Sequence, residues 1–143
     1  MNSSLYAESS AVLAYLLGEG GGAAVANYFA TARRVIASEL TYAEVDRTLL
    51  RAHEGGLLSE RDLADVRVHF AEISAHWFLQ RMVPEIFERA RRPFPIEPIR
   101  TLDALHLAGA LEARNSAPTL AILSLDRRVR ENGKALGFAL LPA

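Results

Sequence analysis

Short apolar runs alternate with longer stretches of helical spacing along this chain. Leu5 to Ala7 is apolar and leads into Glu8, Ser9 and Ser10, after which Ala11 to Leu17 carries a helical pattern that Gly18 ends. Ala23 to Ala32 predicts a second helix, and Val35 to Ala37 a second short strand. Ser38 is placed to cap a helix running to about His53, with Glu39 complementing its dipole and Gly55-Gly56 ending it. Ser59 opens another helix that continues through Arg61 to Ile73. Trp77 to Leu79 fits a third strand, and Pro84 sits where the first turn of a helix through Arg91 accepts it. The Pro93 to Pro98 segment must be loop. Thr101 suits the cap of a helix over Leu102 to Arg114, and Thr119 to Ser124 is the clearest strand. Asp126 opens a helix that Gly133 or Gly137 stops, and Phe138 to Leu141 predicts a last strand. Strands alternating with helices in this way mean βαβ units and a parallel sheet covered on both faces.

Gly18 to Ala23 formally matches the glycine spacing of a dinucleotide-binding turn. Such a turn must follow a strand, and this one follows a helix, so it reads as a helix stop and loop. The Pro-rich segment is too short for an interdomain linker, and residues 1–143 read as a single domain.

Composition changes this picture by exclusion. There is no cysteine, which removes disulfides, thiolate zinc sites and a cysteine nucleophile and fits a reducing compartment. No apolar run approaches a membrane span and no basic leader precedes one, so the expectation is a cytoplasmic protein. The formal net charge of −1 offers no global field for nucleic acid. Of the 16 basic residues only Lys134 is Lys, and Arg33-Arg34, Arg91-Arg92 and Arg127-Arg128 are adjacent pairs. Arg suits bidentate phosphate contacts, although a GC-rich genome writing Arg for Lys accounts for the bias equally simply.

Candidate chemistry comes from position. Glu8 follows the first strand, Glu44 lies in the helix after the second, Asp103 is in the first turn of its helix, and Asp126 follows the fourth strand. Their separations of 36, 59 and 23 residues form no local motif, so only a fold can join them. Strand ends and helix starts converge on one edge of a parallel sheet. Each acid alone has a plainer role: Asp103 as dipole complement, Asp126 as N-cap, Glu44 as a solvated helix residue. Together they would bind a hard cation such as Mg²⁺ or Mn²⁺ and support phosphoryl chemistry without a nucleophilic side chain. Ser124 could hydrogen-bond a ligand, and Ser9 and Ser10 could cap the first helix or touch water or phosphate. The four histidines lack zinc-ligand spacing, and His106, three residues after Asp103, suggests an ion pair with it.

Four segments carry a resemblance: Tyr6 to Val12, Ser38 to Val45, Leu102 to Ala108 and Leu123 to Arg128. In order and spacing the chain resembles the PIN domain, and within it the VapC-type toxins of bacterial toxin–antitoxin pairs. The resemblance implies an α/β/α sandwich with a five-stranded parallel sheet. It also implies a homodimeric, Mg²⁺- or Mn²⁺-dependent endoribonuclease that cuts RNA and is inhibited by a cognate antitoxin. Glu44, Asp103 and Asp126 fall on the family's acidic positions, while Glu8 stands where the family has Asp. The extra methylene moves that carboxylate by up to ~1.5 Å. A phosphatase of the haloacid-dehalogenase type would need two aspartates where this chain has Glu8 and Ser10. The competing reading from a different class is a PIN-like protein that works only by binding a partner.

Overall fold

The computed structural model describes residues 3–143. Five strands, β1 (Ser4–Ala7), β2 (Arg34–Ser38), β3 (Phe78–Gln80), β4 (Ala121–Leu123) and β5 (Ala139–Leu141), form one parallel sheet in the order β3-β2-β1-β4-β5. The helices are α1 (Ser9–Leu17), α2 (Gly22–Thr31), α3 (Glu39–Glu54), α4 (Glu60–Ser74), α5 (Pro84–Ala90), α6 (Thr101–Arg114) and α7 (Arg127–Ala135). The expected α/β/α sandwich is therefore present.

Alternation along the strands builds two cores. Leu5 and Ala7 face one way with Ala121 and Leu123, against α1 to α4 through Val12, Val25, Val45, Leu49 and Phe70. Tyr6, Ile36 and Ile122 face the other way, against α5 to α7 through Ile86, Leu107 and Val129. A parallel strand covered on both faces has no solvent side, which is why β1 and β4 read as unbroken apolar runs.

The glycine run behaves as a stop and loop. Gly18 closes α1 in the left-handed conformation (φ 67°), and Gly22 packs so closely that a Cβ there would lie 2.5 Å from the Ala14 carbonyl oxygen. Two caps differ from expectation, since Glu8 and not Ser9 or Ser10 is the N-cap of α1. Thr101 is the first residue of α6 and Arg100 is its N-cap, because the backbone N–H of Arg100 bonds Asp103 Oδ2 at 3.1 Å. The large apolar side chains exposed to solvent include Leu57, Val68 on α4, Phe78 and Leu79 on β3, Phe87 on α5, Ile96 in the Pro-rich loop and Leu102 on α6. No helix among the described residues is long and apolar enough to cross a membrane.

Candidate active site

The sheet order places β1 at its centre, with β2 and β3 to one side and β4 and β5 to the other. The chain reverses its direction of travel between β1 and β4. The carboxyl ends of that strand pair form the crevice where open α/β sheets hold ligands. Glu8 ends β1 there, and its N–H continues the ladder to the Leu123 carbonyl at 3.0 Å. Ser124 ends β4 beside it. A cleft of about 490 Å³ opens at this point, lined among others by Glu8, Ser9, Ser10, Glu44, Asp103 and Asp126. Arg100 and His106 complete the polar part of its wall.

Four acids separated by more than a hundred residues thus share one cleft, and the protein treats them unequally. Glu8 is almost fully buried. Its Oε1 accepts the hydroxyls of Ser10 and Ser124, each at 2.5 Å, and its Oε2 accepts the Ser10 backbone N–H at 2.9 Å. Ser9 Oγ lies 3.1 Å from Oε2. A carboxylate offers about four lone-pair sites, so the protein engages nearly all of them. Glu8 is the N-cap of α1, its Oε2 accepting the Ser10 N–H at the helix start.

The other three acids are each anchored by one oxygen. Asp126 uses Oδ1 to accept the N–H groups of Arg128 (2.9 Å) and Val129 (3.2 Å) as the N-cap of α7. Asp103 uses Oδ2 for the Arg100 N–H. Glu44 uses Oε1 for Ser9 Oγ at 2.7 Å and for His106 Nε2. Among the described residues, Asp103 Oδ1, Asp126 Oδ2 and Glu44 Oε2 accept no hydrogen bond. Three acids therefore present one free oxygen each, while their other oxygens fix where they point.

Burial pushes the Glu44 carboxyl up, but the hydrogen bond and charge of His106, the Ser9 hydroxyl and the charge of Arg100 together hold it below its ordinary value. The expected ion pair between His106 and Asp103 does not form. The buried imidazole turns to Glu44, with Glu8 Oε2 at 4.0 Å. Asp103 instead faces Arg100, whose Nε is 3.6 Å from Asp103 Oδ2 and whose Nη2 is 3.9 Å from Asp126 Oδ2. Arg100 escaped the sequence reading, which gave the cap to Thr101. Its signal was an Arg three residues ahead of an acid in a first helical turn.

The donor set fits a hard divalent cation in kind, since carboxylate oxygens are the ligands such ions take. Asp103 and Asp126 already share a cationic group, the Arg100 guanidinium. In this conformation no three His, Asp or Glu side chains among the described residues are grouped closely enough to enclose an ion. One oxygen of each of Glu44, Asp103 and Asp126 is turned onto a donor of the protein, and the Arg100 guanidinium stands beside both aspartates.

Comparison with known proteins agrees with this fold. The family model described as PIN domain matches residues 5–135. Ribonuclease VapC46 of Mycobacterium tuberculosis is 31% identical over 137 residues, covering 96% of this chain and 95% of that protein. Ribonuclease VapC35 of the same organism is 29% identical over 139 residues, with 96% and 95% covered. Among solved structures, M. tuberculosis VapC20, described as a sarcin-ricin loop cleaving toxin, superposes with a TM-score of 0.66 at 14% identity. That match covers 94% of this chain and 96% of VapC20. VapBC2 of Rickettsia felis, solved bound to a DNA fragment of its promoter, gives 0.61 at 9% identity, with 96% of each chain covered. At these identities the two structures speak for the fold.

Proposed function

The chain belongs to the PIN domain family, with VapC ribonucleases among its relatives, and on that premise we propose a metal-dependent endoribonuclease acting as the toxin of a toxin–antitoxin pair. The observation that carries this reading is that Glu44, Asp103 and Asp126, each with one oxygen that accepts no hydrogen bond, line one cleft at the β1/β4 crevice. Relatives named as ribonucleases over nearly their full length weigh against the binding-only alternative.

Glu44, Asp103 and Asp126 would hold Mg²⁺ or Mn²⁺, with Glu8 acting chiefly through position. When bound, such a cation offsets charge at phosphorus and lowers the pKa of water. The chain's own residues do the rest. Glu8 fixes Ser10 and Ser124, and Ser124 Oγ in turn accepts the Asp126 N–H at 3.1 Å, so β1, β4 and the start of α7 are held in one frame. Ser9 and His106 orient Glu44 so that its second oxygen faces the cleft. Such preorganisation means that the acids need not be ordered during reaction.

In this reading the protein works in the cytoplasm as a homodimer of single-domain chains and is silenced by an antitoxin protein. Sedimentation of the purified chain, alone and with the product of an adjacent small reading frame, tests those two partnerships. The activity is tested by incubating purified protein with an RNA panel in Mg²⁺ or Mn²⁺. Cleavage is expected, and Asp103→Asn should lower it by about a hundredfold or more, as loss of a charge-stabilising group does. Cleavage that survived the substitution would remove Asp103 from the site.

A further inference from the structure

We propose that Arg100 is a tethered cation that holds the acidic cleft in its metal-free form. Once displaced by a divalent ion, it joins Arg91 and Arg92 to complete a binding site for an RNA phosphate. The proposal rests on the nuclease reading and assigns that site a second function, coupling of metal loading to substrate capture.

The guanidinium lies within 4 Å of Oδ2 of both Asp103 and Asp126. Asp126 Oδ2 is the oxygen that Asp126 leaves free for an ion, so a divalent ion held there would take the guanidinium's place and repel it. Arg100 is built to yield. Its backbone is fixed as the cap of α6, with the Ala104 N–H on its carbonyl at 3.0 Å, while its side chain is 68% exposed. Exposed pairs of this kind are individually weak.

Arg100 and Thr101 form the wall common to two cavities. One is the acidic cleft; the other is a groove of about 570 Å³ whose lining includes Phe87, Arg91, Arg92, Ile99 and Leu105. Glu97 is the one acid lining that groove, and both its oxygens are spent on backbone N–H groups, of Phe94 at 2.9 Å and Ile99 at 3.1 Å. No carboxylate pairs with Arg91 or Arg92 among the described residues. With three arginines against the single charge of Glu97, the groove offers net positive charge over an apolar floor, with the Phe87 side chain half exposed. That combination suits single-stranded RNA, whose phosphates meet guanidinium groups and whose bases lie on apolar and aromatic surface. With Arg100 swung toward it, the groove would hold the phosphate next to the one at the carboxylates.

Two ligands that each favour the same position of Arg100 must strengthen one another's binding. The test is a pair of titrations on the full chain: Mn²⁺ followed by electron paramagnetic resonance, and a phosphorothioate single-stranded RNA followed by fluorescence anisotropy, with and without Mn²⁺. In the wild-type protein Mn²⁺ should tighten RNA binding. Arg100→Gln should bind Mn²⁺ roughly three- to tenfold more tightly, as expected for losing two long ion pairs made by an exposed arginine. It should bind RNA more weakly and lose the effect of Mn²⁺ on RNA. Arg91→Gln with Arg92→Gln should weaken RNA binding and leave Mn²⁺ binding as it was. Arg127→Gln, which removes a charge paired with Glu131, should change neither.

Unaltered Mn²⁺ affinity in Arg100→Gln would overturn the proposal, and so would an equal gain in Arg127→Gln. Wild-type RNA binding by the Arg91/Arg92 variant would overturn it too. If that variant instead lost a dimer in sedimentation, the groove would belong to a second copy. Wild-type cleavage separates the two levels. A protein that cuts RNA while Arg100→Gln behaves as wild type keeps the nuclease reading and loses this one. A protein that neither cuts nor binds RNA loses both.

Discussion

Glu8 shows how one methylene redistributes a carboxylate's work. Both its oxygens are committed to Ser10, Ser124 and the start of α1, and Ser9 competes for the same acceptor. An Asp at this position keeps the capping role, since Asp caps helices as well as any residue, but it cannot reach as far into the serines. Glu8→Asp should therefore exchange a serine hydroxyl bond for a free oxygen facing the cleft. Hydrogen bonds to charged groups contribute ~1.5–3 kcal/mol, so Mn²⁺ affinity should rise by roughly tenfold, measured by titration calorimetry. Equal or weaker binding would mean that the cleft is built around the longer side chain.

Helix α6 does two jobs that its sequence shows only in part. Its first turn brings Asp103 to the cleft, and its middle lies against the sheet at Gly109. A Cβ there would sit 2.7 Å from Tyr6 Oη and 2.8 Å from Gln80 Oε1, and the Gly109 carbonyl accepts the Gln80 side-chain N–H at 2.8 Å. The close approach lets His106 reach past Tyr6 to Glu44. Gly109→Ala should destabilise the fold by about 1–3 kcal/mol through overpacking, despite the higher helix propensity of Ala. Denaturant unfolding measures this, and an unchanged midpoint would mean that α6 has room to shift. The Gln80 side chain is held by its bond to the Gly109 carbonyl and its Oε1 is buried, so the β3 side of this contact has little room to absorb the methyl.

A polar chain joins the two layers of helices at the cleft. Glu44 belongs to α3, packed on one face of the sheet, Ser9 to α1 on that same face, and His106 to α6 on the other. Because Glu44 is held below its ordinary value of 4.5, its ionised form is favoured by folding. That contribution is complete above the unfolded-state value and is lost as pH falls through the lower folded value. Thermal stability should therefore drop on acidification below about pH 4.5, and Glu44→Gln should flatten that part of the curve. Parallel melting profiles for the two proteins would show that the link across the sheet carries no such stability.

Apolar periodicity together with capping and turn residues sufficed to place the five strands and seven helices of the described residues to within a few residues, and burial on both faces left its plainest mark in the inner strands β1, β2 and β4. The same pattern put Glu44, Asp103 and Asp126 near strand ends and helix starts, where a parallel sheet must gather them. Local pattern could not say which oxygen of each acid is free, that Glu8 turns back onto three serines, that His106 chooses Glu44 over Asp103, or that Arg100 stands between two aspartates. Those outcomes depend on side chains from distant segments meeting at the β1/β4 crevice. Competition for hydrogen bonds there is settled by distances that exist only once the sheet has closed.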